Sequence, residues 1–140
     1  MQTSLVRKHI AFFLTAALAA PVLLFAAKAT QPGALSTPYP TLTNLAVEWL
    51  ITGDDNLNAL CKTWYRQKGE SSWREAMPLR RVPAGRSYGT NPIFYWENNL
   101  SGSVLDLRPG TAYEIKLNLR DPDGGSADTV VTVSPRPVPK

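Results

Sequence analysis

Past residue 40 the chain alternates apolar and polar positions with a period of two, the spacing of strands that bury one face. Over residues 44–51, Leu45, Val47 and Trp49 share one side while Ala46, Glu48 and Leu50 share the other. Over residues 59–66, Cys61, Thr63 and Tyr65 oppose Lys62, Trp64 and Arg66. The alternation is cleanest over residues 112–120, where Tyr113, Ile115, Leu117 and Leu119 oppose Glu114, Lys116, Asn118 and Arg120. Thr129, Val131 and Val133 predict a last strand, and residues 102–107 a short one. Residues 72–79 carry Trp73 and close on Pro78, which suits an edge strand because proline cannot donate to a ladder.

Between these runs stand clusters of turn residues, Gly53-Asp54-Asp55-Asn56, Gln67-Lys68-Gly69-Glu70 and Asp121-Pro122-Asp123-Gly124-Gly125. Residues 80–92 form a longer irregular stretch with Pro83, Gly85, Gly89 and Pro92. No helical periodicity is sustained past Ala29. The pattern predicts an all-β protein, a seven-stranded antiparallel β-sandwich over residues 41–134. Residues 30–40, with Pro32, Pro38 and Pro40, read as a linker or irregular edge segment, and residues 135–140 as an extended exit linker.

The N-terminus has a different pattern. Arg7, Lys8 and His9 precede 18 uncharged residues, IAFFLTAALAAPVLLFAA, followed by the small-x-small triplet Ala27-Lys28-Ala29. This is the grammar of a signal peptide over residues 1–29. A membrane anchor is the other reading, since the apolar run approaches the roughly 20 residues that span a bilayer. Either way the remainder is expected outside the cytoplasm, secreted or periplasmic, and in contact with membrane only if the segment stays uncleaved.

Charge then excludes one class of partner. Residues 1–29 hold three of the 15 basic residues and none of the 11 acidic ones, so the remainder is close to neutral and nucleic acid is not an expected partner. The single histidine, His9, lies in the N-terminal segment, which removes histidine triads and the common histidine-containing zinc sites from the domain. Cys61 has no second cysteine to pair with and falls on the inward face of its strand, so core filling is its expected role. No cofactor and no metal are expected. The carboxylates Asp54 and Asp55, and Asp121 with Asp123, lie in turns where aspartate caps backbone. An isolated small sandwich also gives a glycosidase pair little room for a cleft. Asp121-x-Asp123-Gly124 lacks the spacing and closing glutamate of a calcium loop. Arg80, Arg81 and Arg86 read as surface charge. Catalytic residues are therefore not assigned, and the chain is not expected to be an enzyme.

One motif points to a family. Leu107-Arg108-Pro109-Gly110-Thr111-Ala112-Tyr113 resembles the L-x-P-G-T-x-Y signature of fibronectin type III domains, which belong to the immunoglobulin-like sandwiches. The resemblance implies that Tyr113 opens a strand with its hydroxyl bonded back across the preceding corner, that Trp49 is a core tryptophan, and that Tyr65-Arg66 ends the third strand. With Leu107, Pro109, Ile115 and Leu117, these tyrosines and Trp49 form the expected structural core. Trp73-Arg74-Glu75-Ala76-Met77-Pro78-Leu79 and Asp121-Pro122-Asp123-Gly124-Gly125 narrow the likeness to fibronectin-type domains placed before right-handed parallel β-helices in secreted bacterial proteins. Those β-helices resemble polysaccharide lyases and other glycan-processing proteins, so an adjacent β-helix domain or another protein is the expected partner. No β-helix follows Lys140, which leaves a free-standing module or a piece of a longer protein. The aromatic group Tyr88, Phe94, Tyr95 and Trp96 either covers one end of the core or a neighbouring domain, or stacks on glycan as a carbohydrate-binding site.

Overall fold

The computed structural model describes residues 27–89 and 91–140. The expected signal segment lies, up to residue 26, outside the described residues. Among the described residues there are ten strands: β1 (Gln31–Ser36), β2 (Leu45–Thr52), β3 (Leu60–Gln67), β4 (Arg74–Glu75), β5 (Arg80–Val82), β6 (Gly85–Arg86), β7 (Tyr95–Trp96), β8 (Asn99–Val104), β9 (Tyr113–Arg120) and β10 (Ser126–Val133). They form two four-stranded antiparallel sheets, ordered β1-β2-β8-β5 and β10-β9-β3-β4, and a separate ribbon of β6 and β7.

The core is the predicted parity made solid. Leu45, Val47, Trp49 and Ile51 of β2, with Leu100 and Val104 of β8, face Cys61 of β3 and Tyr113, Ile115, Leu117 and Leu119 of β9. Leu107 closes one end and Leu79, bridged to Cys61, one side. Full burial of each such aliphatic side chain contributes about 1.5–3 kcal/mol, which sets these strands' register.

Trp49, Leu107, Tyr113, Ile115 and Leu117 are buried. The Tyr113 hydroxyl accepts the Arg108 N–H at 3.0 Å, across the corner that precedes β9. Tyr65 is half-buried and packs against this core beside Tyr113. One residue expected in the core stands elsewhere: Pro109 is exposed, because the turn that it shapes lies beyond the sheets.

Four boundaries also differ from the sequence reading. The stretch read as a linker contains the edge strand β1, whose bulge between Pro32 and Leu35 accommodates the proline. The strand expected over residues 72–79 shrinks to β4, followed by single bonds from Ala76 N to Thr63 O and from Leu79 N to Cys61 O. The irregular stretch after it holds β5 and β6. Strand β8 ends at Val104, since Asp106 takes φ 57° and Leu107 N turns to bond Thr43 O.

Candidate binding surface

The chain between β5 and β8 leaves the sandwich as the β6–β7 ribbon. Gly85 pairs with Trp96 and Arg86 with Tyr95. The pairing continues one step, with Ser87 N donating to Phe94 O at 2.8 Å and Phe94 N to Ser87 Oγ at 2.9 Å. Asn98 fixes the base: its Oδ1 accepts from Ala84 N at 2.7 Å and its carbonyl from Ile51 N at 3.0 Å. The Trp96 indole lies across Gly85, where a Cβ would stand 2.7 Å from Cζ2, and its Nε1 donates to Pro83 O at 2.9 Å.

This ribbon carries all four of the aromatic residues singled out in the sequence. Tyr88 is 81% exposed, Tyr95 72%, Phe94 61% and Trp96 42%. They do not cover the core. Trp96 is held flat by its hydrogen bond and by the absent Gly85 side chain, and Arg86 lies 5.4 Å from the Tyr88 ring centre. A surface of planar apolar faces with polar tips can stack on rings or bury against another surface.

Three of the four turn carboxylates are committed elsewhere, and Asp55 is exposed. Asp54 is fully buried; its Oδ1 accepts from Asn58 N at 2.9 Å and Ala59 N at 3.0 Å, and its Oδ2 pairs with Arg81 Nε at 2.6 Å. Asp54 sits at φ 54°, a conformation that aspartate tolerates better than most residues. Asp121 Oδ2 accepts from the Thr30 main chain and hydroxyl, and Oδ1 from Asp123 N. Asp123 Oδ2 accepts from the Asn56 and Asn58 amides at 2.7 Å each, and these bonds hold its carboxyl below the usual value. Arg81 therefore does not belong to a surface patch with Arg80 and Arg86: the buried Asp54 carboxylate draws it inward, while the other two stay exposed. Cys61 is buried, and burial pushes its thiol up to about 11.

A second surface was not singled out in the sequence. On the outer face of the β10-β9-β3-β4 sheet, Lys116 Nζ lies 4.9 Å from the Trp64 ring centre and 4.7 Å from that of Trp73. Arg66 lies 4.3 Å from the Trp73 centre and bonds Glu114 Oε2 through Nε at 2.6 Å. Trp64 and Arg66 share the outward parity of β3, which was visible; that Lys116 and Glu114 stand opposite them depends on the β3–β9 register.

No family model matches the chain, and no curated protein does. Among solved structures, the one described as "Myokine structure" is 15% identical, with a TM-score of 0.50, covering 77% of this chain and 99% of its own. The fold is a β-sandwich. A computationally redesigned β-sandwich protein is also similar, at 17% identity and a TM-score of 0.47 over 77% of this chain and 96% of its own.

Proposed function

We propose that this chain is a non-catalytic extracytoplasmic interaction module of the fibronectin type III kind, a spacer whose aromatic ribbon docks a partner. One observation carries the reading: the ribbon and the C-terminal exit lie at opposite poles of the sandwich. The ribbon springs from the end of β5 and the start of β8, where Asn99 faces Leu50 near the end of β2. At the other pole Arg136 N bonds Thr41 O at 2.8 Å and Gly110 N bonds Arg136 O at 3.2 Å, beside the start of β2 and of β9. The eight-residue strands between them measure about 26 Å.

A domain continuing from Lys140, such as the β-helix that the sequence likeness implies, would sit at the exit pole, away from the ribbon. The ribbon is then free for a separate protein surface while the module holds the following domain at a distance. Three of the four turn carboxylates, Asp54, Asp121 and Asp123, are engaged by protein donors, which supports a role without catalysis.

The exposure of four rings on one ribbon favours a second reading, a carbohydrate-binding module that stacks on sugar. A photo-crosslinker at Tyr88 in exporting cells, run beside titration of polysaccharides by tryptophan fluorescence, separates the two. A protein adduct lost in the Phe94→Ala/Tyr95→Ala double variant supports the first. Quenching by glycan that disappears in Trp96→Ala supports the second, and neither adduct nor quenching overturns both.

A further inference from the structure

We propose that the Ala29–Thr30 peptide bond is a processing site and that the amine freed on Thr30 is received by a seat made of Asp121 and Gly124. This rests on the export half of the function proposed above, and its test separates the two.

Thr30 is fully buried, although it precedes the first strand. Its main-chain nitrogen lies 2.9 Å from Asp121 Oδ2 and 3.0 Å from Gly124 O. A peptide nitrogen owns one hydrogen and here faces two acceptors. An ammonium owns three and can serve both, with a carboxylate to balance its charge. The Thr30 hydroxyl bonds the same Oδ2 at 2.6 Å, completing the grip.

The seat does not depend on the residues before Thr30. Asp121 Oδ1 is held by Asp123 N at 2.8 Å, and the loop closes through Asp121 N to Gly125 O and Gly124 N to Asp121 O. Gly125, at φ 94°, has no room for a side chain: a Cβ there would overlap the Thr30 carbonyl. The loop is thus shaped to bring its backbone against Thr30.

Upstream the hold loosens by degrees. Ala29 is half-buried with its carbonyl against Gly53, where a Cβ would stand 2.2 Å from it. Ala27 and Lys28 are exposed, and Ala27 O accepts one long bond, from Asp55 N at 3.3 Å. The step from exposed to buried chain falls where Ala27-Lys28-Ala29 presents the small-x-small triplet behind its apolar run. Hydrolysis by an exporting cell's signal peptidase adds water across the bond, leaving a carboxylate on Ala29 and an ammonium on Thr30. Lys28 departs with the leader. The charged groups that remain on the two loops around Thr30 are Asp54, already paired with Arg81, Asp55, Asp121 and Asp123. They give the new amine an acidic setting, with the Asp121 carboxylate to balance its charge.

The test is export of the full chain from a bacterial host, mass spectrometry of its first residue, and labelling with an amine-reactive reagent at pH 8. Thr30 is expected as the first residue, with its amine labelled at least tenfold more slowly in the folded protein than in urea. Asp121→Asn is expected to raise the folded rate about tenfold. Another first residue in exported protein, or equal labelling rates folded and unfolded, overturns the inference and leaves export standing. A chain kept inside with its leader intact overturns both. The wild-type comparison decides the matter even if the Asp121 variant fails to fold.

Discussion

Arg81 of β5 and Asp54 of the turn after β2 form a 2.6 Å ion pair with the carboxylate wholly buried and the arginine side chain 10% exposed. Breaking such a pair from one side strands a charge without water, which costs about 3–5 kcal/mol. Arg81→Ala is therefore expected to lower the urea midpoint sharply. Asp54→Ala loses in addition the bonds from Asn58 N and Ala59 N and is expected to be no milder. Equilibrium urea unfolding measures both.

Tyr113→Phe keeps the buried ring and leaves the Arg108 N–H without its acceptor. The expected loss is about 1–2 kcal/mol, with the sandwich intact by circular dichroism. A change below the error of the unfolding curve would mean that water replaces the hydroxyl.

Cys61 is expected to resist thiol reagents at pH 8 in the folded protein and to react fully in denaturant, followed by absorbance. Burial raises its folded value from 9.0 to about 11, and the unfolded thiol ionises first. The stabilisation is therefore complete below pH 9 and is lost as pH climbs through 11.

Gly85→Ala puts a methyl group where the Trp96 ring lies. The ring must swing away from Pro83 O, so the tryptophan emission is expected to shift and any ribbon-mediated binding to weaken. The two sheets do not depend on the ribbon pairing, and global stability is expected to fall by less than about 1 kcal/mol. Fluorescence and urea unfolding on one sample test both halves.

Lys116→Gln removes the cation that stands near both Trp64 and Trp73. At about 0.5–1 kcal/mol for each exposed contact, a loss of about 1 kcal/mol is expected, with Lys116→Arg restoring most of it.

Much of the sandwich was legible because its strongest strands bury one face. Leu45, Val47 and Trp49, and Tyr113 through Leu119, cannot exchange parity without exposing the core. The edges were harder. In β8 the adjacent Asn99 and Leu100 are both buried, so the alternation that marks a strand fails there. Pro32 and Gly33 in β1 look like linker residues, and only pairing with β2 makes them a strand. Of the candidate surface, the four ribbon aromatics were found by composition. Their exposure was not, because it depends on residues 83–98 folding outward and not onto the pole. Arg81 could not be told from Arg80, since the charge that sorts them, Asp54, is distant in sequence and meets it only in the assembled fold.

The four margins of the two sheets are not alike. β1 contains Pro32 and a bulge, β4 is two residues long, and β5 is three residues long with two arginines. β10 alone offers eight uninterrupted residues with neither proline nor lysine. Among the described strands of the two sheets, one selvage is open and three are hemmed, so edge-to-edge joining through these sheets is expected to favour a pair over a fibre.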